Sequence, residues 1–242
     1  MIKRLFDLIV SLTALILVSP ILAISLLSVY LQDFKNPFYI APRVGRNEKI
    51  FKMFKIRSMV VNADRTGVDS TSSNDMRITQ VGHLIRKFKI DEISQLINVF
   101  LGDMSLVGPR PNVKRETDVY TKEEKILLTV RPGITDISSI VFSDEGEILK
   151  DSKDPDLLYN QIIRPWKSRL GIFYIENRSL FLDIRLLIFT VLAIINKPLA
   201  LERILALLEG MNADSDLVKI SSRKEALTPA PPPGASEIVS KR

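Results

Sequence analysis

The chain has 242 residues, 46% of them hydrophobic, with 34 lysines and arginines against 28 aspartates and glutamates, a formal net charge of +6. This suffices for one sizeable domain or two small ones, and the basic balance favours anionic partners: nucleic acid, an acidic membrane surface or phosphorylated small molecules. The absence of cysteine excludes disulfides, thiolate catalysis and zinc–thiolate sites, and the one histidine, His83, has no second imidazole for a metal and no aspartate five residues on, so it reads as structural.

From Leu8 to Leu31, "LIVSLTALILVSPILAISLLSVYL" runs 24 residues without a charge. As a helix this reaches about 36 Å, enough for a hydrocarbon core of about 30 Å, and it is too long for a signal-peptide core. Pro20 removes a backbone donor and clashes with the preceding turn, so a kink or break is expected there, with Ser19 able to satisfy a freed carbonyl. Lys3 and Arg4 precede the run, and Lys35, Arg43, Arg46, Lys49, Lys52, Lys55 and Arg57 follow it. Positive charge at both ends puts both on the cytoplasmic side. A re-entrant helix-break-helix satisfies both observations; the alternative is a kinked single span with unusual flanks.

Beyond the membrane segment, β-friendly runs around Tyr39-Ile40 and Ile50 to Ile56 flank a Gly45-Arg46-Asn47 turn signal, predicting a small hairpin. A polar, turn-rich loop "NADRTGVDSTSSNDMR" precedes two predicted helices, Thr79 to Phe88 and Ile90 to Leu101. In the second, Ile93, Leu96, Ile97, Phe100 and Leu101 follow helical spacing, and Gly102 is placed to close it. A further helix is expected over Thr121 to Val130, stopped by Pro132-Gly133. Helical structure is expected from Pro155 to Leu208, with Leu186 to Ile195 as a core or interfacial helix too short to span. From Met211 on, a Pro/Ala/Ser-rich composition reads as a tail without fixed structure. These boundaries divide the chain into an apolar membrane segment at 1–35, a folded domain at 36–210 and a tail at 211–242. The fold class is α+β and mainly helical: an apolar N-terminal membrane segment interrupted at Ser19-Pro20, a small β-hairpin or sheet, and amphipathic interfacial helices.

Asp91 and Glu92 stand at the start of the second helix, where acids also serve as an ordinary complement to the macrodipole. Arg86 lies just upstream, and "GPRP" downstream holds Arg110 between two prolines that restrict its backbone. Arg43, Arg57 and Arg131 are further cations able to take phosphate oxygens. Two carboxylates amid arginines suit a Mg²⁺-diphosphate site, although neighbouring acids and scattered arginines also arise without function.

Taken in order, Lys3-Arg4-x-x-Asp7, the apolar helix interrupted at Ser19-Pro20, "RVGRN", "FKIRSM", "RITQVGHLIRK", the Asp91-Glu92 pair with "QLINVFLGDMSLVGPRP", and "RPGIT" resemble the bacterial sugar transferases, the monotopic polyprenyl-phosphate phosphoglycosyl transferases. The likeness covers Met1 to about Asn196. It implies a re-entrant hairpin broken at Ser19 and Pro20, and a catalytic domain on the cytoplasmic face of the bacterial inner membrane. It further implies transfer of a sugar 1-phosphate from a UDP-sugar to undecaprenyl phosphate, with release of UMP, as the first membrane step of glycoconjugate synthesis. By resemblance Asp91 is the nucleophile forming an aspartyl phosphosugar and a Mg²⁺ ligand, Glu92 its supporting partner, and Arg57, Arg86, Arg110 and Arg131 phosphate-binding residues. Inner-membrane lipid is an implied partner, with a second copy of the chain or downstream glycosyltransferases as candidates.

The sequence departs from the family pattern in three places: Phe88-Lys89-Ile90 replaces a common Thr-Ser-Leu, Ser94 a frequent proline, and Asp136 a glycine. Lys89 cannot act as the usual side-chain N-cap. The competing expectations are a non-catalytic membrane-surface protein whose basic patches bind anionic lipid and, ranked last, a nucleic-acid binder. With 7% aromatic residues and no interleaved basic and aromatic motif, no nucleic-acid partner is expected.

Overall fold

A computed structural model describes residues 2–63, 71–72 and 74–240. It is mainly helical, with two two-stranded sheets. Most of the polar loop after Asn62 lies outside the described residues.

Helix α1 (Ile2–Asp33) is a single helix of 32 residues with Pro20 inside it. The expected interruption is therefore not a break in the helix. Proline at position 20 leaves the carbonyl four residues back, that of Ile16, without its usual donor. The Ser19 hydroxyl supplies one, donating to Ile16 O at 2.8 Å. Among the described residues α1 is the one helix long and apolar enough to cross a membrane.

It lies along the domain with two distinct faces. Phe6, Val10, Ala14, Leu15 and Val18 cover the main core, while Leu22, Leu26 and Val29 meet Ile56 and Ile85 in a smaller cluster. The opposite face exposes Ile9, Leu12, Ile16, Ile24 and Leu27. Both ends are tied to the same body. Near the start, Lys3 pairs with Asp183 at 2.5 Å, and buried Asp7 accepts from Ser105 Oγ at 2.9 Å and the Leu106 N–H at 3.1 Å. At the far end, Asp33 takes the Arg57 guanidinium bidentately at 2.5 and 2.6 Å.

Strands β1 (Phe38–Val44) and β2 (Ile50–Ile56) form the expected antiparallel hairpin, pairing Phe38 with Ile56 and Val44 with Ile50. Helix α2 (Gln80–Lys87) starts at Thr79, whose hydroxyl accepts from the Gly82 N–H at 2.9 Å. The helix expected over Ile90 to Leu101 is divided into α3 (Ile90–Ile93) and α4 (Leu96–Leu101), and Gly102 closes it at φ 97°. At the division, the Gln95 and Ile97 amides bond three residues back, which tightens the turn.

A pairing absent from the sequence reading joins β3 (Ser105–Val107) to β4 (Gly133–Thr135) in parallel. The helix α5 (Lys114–Thr117) and a 3₁₀ segment, Glu124–Thr129, lie between them. That 3₁₀ segment replaces the α-helix expected over Thr121 to Val130; Glu124 is drawn inward to a buried ion pair with Arg164 at 2.5 Å, joined by Ser168 at 2.8 Å.

Helices α6 (Ile137–Val141), α7 (Glu145–Ile148), α8 (Pro155–Ile162), α9 (Arg164–Asn177), α10 (Leu180–Ile195) and α11 (Lys197–Gly210) complete the domain. Val107, Ile137, Ile140, Leu170, Leu186 and Leu207 are among its fully enclosed core. Residues 211–242, expected to lack fixed structure, instead contain α12 (Ser215–Ser222), and the segment after it is hydrogen-bonded to the domain. The Ala230 N–H donates to Gln161 O at 2.9 Å, Gln161 Nε2 to Val239 O at 2.8 Å, and Thr121 Oγ1 to Pro233 O at 2.5 Å. Proline-rich chain loses little further entropy on being held, so a few such contacts can fix it.

Candidate active site

The acid pair is positioned by hooks between α4 and β2. Asn98 Nδ2 donates to Lys52 O at 2.7 Å and its Oδ1 accepts from the Phe54 N–H at 2.9 Å. Ser94 Oγ, at the departure from proline, lies 3.2 Å from Phe54 O and 3.1 Å from Asp91 O. These bonds fix β2 against the turn that carries the acids. As a result Lys55 Nζ stands 3.0 Å from Asp91 Oδ2, with the Asp91 side chain almost fully buried.

The second acid is held from the other direction. Arg110 closes on Glu92 with both terminal nitrogens, one of them at 3.0 Å. Its place depends on two glycines: Gly108 opens the "GPRP" segment and Gly133 belongs to "RPGIT", and the two backbones touch. A Cβ on Gly133 would stand 2.1 Å from Gly108 N, a contact no side chain could make. Crossed hydrogen bonds, Gly133 N–H to Pro109 O at 2.9 Å and Gly108 N–H to Thr135 O at 3.0 Å, lock the segment from which Arg110 projects.

These side chains line a cavity of about 830 Å³ bounded by β2, α2, α3 and the α6–α7 region. Among the described residues nine lysines and arginines line it against three carboxylates, Asp91, Glu92 and Glu145. Glu145 is paired with Lys167. Burial alone would disfavour a charged Glu92, but Arg110 and then Lys55 more than offset it and hold the carboxyl well below the usual range. Glu92 in turn pushes Arg110 up against the effect of burial. The site is thus a strongly cationic chamber with two ionisable acids at one wall, suited to a polyanion such as a diphosphate.

Of the expected residues, Asp91, Glu92, Arg57, Arg86 and Arg110 line this one cavity. Arg57 does so with its guanidinium committed to Asp33 and its Nε to Asn36 O at 2.8 Å. Arg86 has no ion-pair partner among the described residues. Arg131 is elsewhere: its Nε donates to Gly102 O at 2.8 Å, and it lines a separate cavity. Ser19 and Pro20 lie within α1, away from the dyad cavity's lining.

Sequence reasoning missed Lys55, Lys89 and Lys167. Lys55 had a usable signal, because it stands two residues before Arg57 on a strand, where side chains alternate faces. Lys89, a departure from the family pattern, has a left-handed backbone at φ 53° and no side-chain capping bond. Its side chain lines the cavity. Burial pulls its ammonium pKa down, Glu92 opposing and Arg110 and Lys167 adding to the effect. Asp136, another departure, caps α6 by accepting from the Ser139 N–H at 2.7 Å.

Among the described residues no three of His, Asp or Glu come together as a metal cage. The donor set is instead one suited to Mg²⁺ brought with phosphate, since that ion is commonly held by one or two carboxylates plus substrate oxygens.

The family model described as "Bacterial sugar transferase" matches residues 1–197. The chain is 32% identical over 197 residues to the UDP-N-acetylgalactosamine-undecaprenyl-phosphate N-acetylgalactosaminephosphotransferase of Aeromonas hydrophila, covering 80% of this chain and 44% of that protein. It is 33% identical over 210 residues to the undecaprenyl-phosphate galactose phosphotransferase of Salmonella typhimurium, covering 81% and 40%. With the exopolysaccharide production protein ExoY of Sinorhizobium fredii it shares 31% identity over 207 residues, 79% of this chain and 84% of that one. The chain therefore spans less than half the length of the first two relatives and most of the third. The ordered motifs, the site they build and a family match that runs from α1 through α10 place this chain in the bacterial sugar transferase family.

Proposed function

We propose that the chain is a phosphoglycosyl transferase that moves a sugar 1-phosphate from a UDP-sugar to undecaprenyl phosphate and releases UMP. The observation that carries this reading is the pairing of buried Asp91 with Lys55 at 3.0 Å inside a cavity lined by nine cations. A carboxylate attacking a diphosphate must approach like charge, and the cations offset that repulsion. Asp91 attacks the β-phosphorus, forming an acyl phosphate to the sugar phosphate as the bond bridging the two phosphorus atoms breaks and UMP departs. An oxygen of undecaprenyl phosphate then attacks the same phosphorus and Asp91 leaves, regenerating the free carboxylate. Arg86, Arg110 and Lys167 bind phosphate oxygens, Glu92 holds Arg110 in place, and Arg57 fixes the cavity wall to the end of α1. Asp91 would hold Mg²⁺, which would supply charge neutralisation at the phosphates.

The same proposal places the chain on the cytoplasmic face of the inner membrane, with α1 entering and leaving by that face. It is supported by the attachment of both ends of α1 to one domain through Asp7 and Asp33, and by the apolar face that the helix leaves exposed. A membrane-surface chamber then meets a soluble donor and a lipid acceptor together.

The test is UMP release from a panel of UDP-sugars with undecaprenyl phosphate and Mg²⁺. Turnover with at least one donor is expected, together with a phosphosugar adduct on Asp91 detected by mass spectrometry when acceptor is omitted. Asp91→Asn should be inactive while folded and membrane-bound. An Asp91→Asn protein as active as the parent would overturn the nucleophile assignment, and a membrane-bound chain inert to every donor would favour the lipid-binding alternative.

A further inference from the structure

A second cationic cavity, of about 270 Å³, lies at the opposite end of α1 from the Asp33–Arg57 tie and shares no lining residue with the dyad cavity. Among the described residues Lys3, Arg4, Arg46, Arg131 and Arg178 line it, with Asp7 as the single carboxylate. These five cations come from four separate places: α1, the hairpin turn, the approach to β4, and the end of α9, the first supplying two.

Part of this charge has structural work. Arg4 donates to Val99 O at 2.5 Å and Phe100 O at 2.8 Å, and Arg131 Nε to Gly102 O at 2.8 Å, so the two satisfy the carbonyls left free at the end of α4. Lys3 is spent on Asp183 and Val107 O, and both Asp7 oxygens are taken by Ser105 and Leu106. Arg46 and Arg178 have no such task. Both are exposed, neither has an ion-pair partner among the described residues, and the terminal nitrogens of Arg131 are likewise uncommitted. Helix capping accounts for Arg4 and Arg131 but not for the gathering of Arg46 and Arg178 beside them. Like charges collected around a concavity repel one another unless an anion is bound.

The surroundings select the kind of anion. The Lys3–Asp183 pair joins α1 to α10 at this cavity. Both helices carry exposed apolar rows next to that junction: Ile2, Leu5 and Ile9 on α1, and Phe181, Ile184 and Ile188 on α10. The volume falls below the roughly 300–1,000 Å³ of sites that enclose a whole drug-sized ligand, so it suits a headgroup better than a nucleotide sugar. We infer that this cavity binds the phosphate of an anionic phospholipid, whose acyl chains lie along the exposed rows of α1 and α10. Arg46, Arg131 and Arg178 are the phosphate ligands. The inference is independent of the transferase reading, because it uses neither Asp91 nor the dyad cavity.

The experiment titrates the full-length protein, in an uncharged detergent, with dihexanoylphosphatidylglycerol or with inorganic phosphate, and reads binding by calorimetry. Saturable binding of the lipid is expected, weakened at least about tenfold in Arg46→Gln/Arg178→Gln. It should be unchanged in Lys114→Gln/Lys219→Gln, which removes the same charge from exposed positions. Inorganic phosphate is expected to bind much more weakly than the lipid; equal affinity would overturn the lipid assignment. Equal weakening in both double variants would reduce the effect to diffuse charge and overturn the site, as would absence of saturable lipid binding. Should the cavity variant fold poorly, phenylglyoxal labelling of the parent decides: the lipid should protect Arg46 and Arg178, and unprotected arginines would refute the site.

Discussion

Lys55 Nζ and Asp91 Oδ2 lie 3.0 Å apart although they belong to different elements, β2 and α3. The contact exists because Ser94 and Asn98 fasten those elements together, so the ammonium is delivered to the carboxylate by the backbone rather than by a flexible reach. Replacing Lys55 by Met should lower the rate of UMP release by about 10²-fold or more, the scale associated with losing one preorganised charge contact. Lys55→Arg should retain part of the rate. Single-turnover kinetics on folded variants would check this; a Met variant near parental rate would remove Lys55 from the site.

The Glu92–Arg110 pair should leave a mark on stability against pH. Its folded-state carboxyl pKa lies below the unfolded value of about 4.3. The pair therefore stabilises the fold above that pH, and its contribution fades as the pH drops toward the folded value. Thermal unfolding of the parent and Glu92→Gln should differ most at neutral pH and converge on acidification below about pH 5. Parallel curves would contradict the pairing.

Gly133→Ala places a Cβ where Gly108 already stands, so it should cost more than about 4 kcal/mol or abolish folding. Gly210→Ala is the matched control: nothing lies within 4 Å of its added Cβ, and a helical position should gain roughly 0.4–1 kcal/mol. Urea denaturation of both variants distinguishes close backbone contact from a general intolerance of side chains.

Asp7→Ala removes two hydrogen bonds to a buried carboxylate, Ser105 Oγ and the Leu106 N–H. A loss of about 2–4 kcal/mol is expected. In a double-mutant cycle with Ser105→Ala the two positions should couple by more than about 0.5 kcal/mol, and strict additivity would mean that the bond contributes nothing.

Chelation of Mg²⁺ should stop turnover without lowering the melting temperature of the substrate-free protein, because the described residues hold no all-protein metal cage. A melting temperature that falls with chelator would reveal a resident structural ion instead.

The absence of native cysteine allows single cysteines to be introduced without background. Positions 2 and 35 should both resist an impermeant thiol reagent added to intact cells and react once the membrane is opened. Labelling of either in intact cells would exclude entry and exit by one face.

The hairpin, the helix near Thr79 to Phe88, the closing Gly102 and the helix containing Leu186 to Ile195 were legible because each rests on local chemistry: β-favouring residues about a turn signal, helical spacing, and a glycine after the last apolar residue. The parallel pairing of Ser105–Val107 with Gly133–Thr135 was not, since three-residue strands far apart in sequence leave no periodic signal. The dyad and Arg110 were legible through their order along the chain, whereas Arg131 was misjudged as a neighbour of the same site. Its motif does touch Gly108, but its side chain turns away to Gly102. Composition also misled at the end of the chain, where prolines that suggested freedom are held by Thr121 and Gln161.

The ties at the start of α1 have a consequence for the order of events during synthesis. Asp7 waits 98 residues for Ser105, and Lys3 waits 180 for Asp183. At roughly 5–20 residues per second, the second interval is about 10–40 s. Until the later helices are made, the inner face of α1 lacks much of the core that covers it, so the run from Leu8 to Leu31 stays largely uncovered while the ribosome is still translating the rest. On the membrane placement proposed above, such a nascent helix enters lipid before the domain closes on it, and Asp7 and Lys3 are the late fastenings between the two.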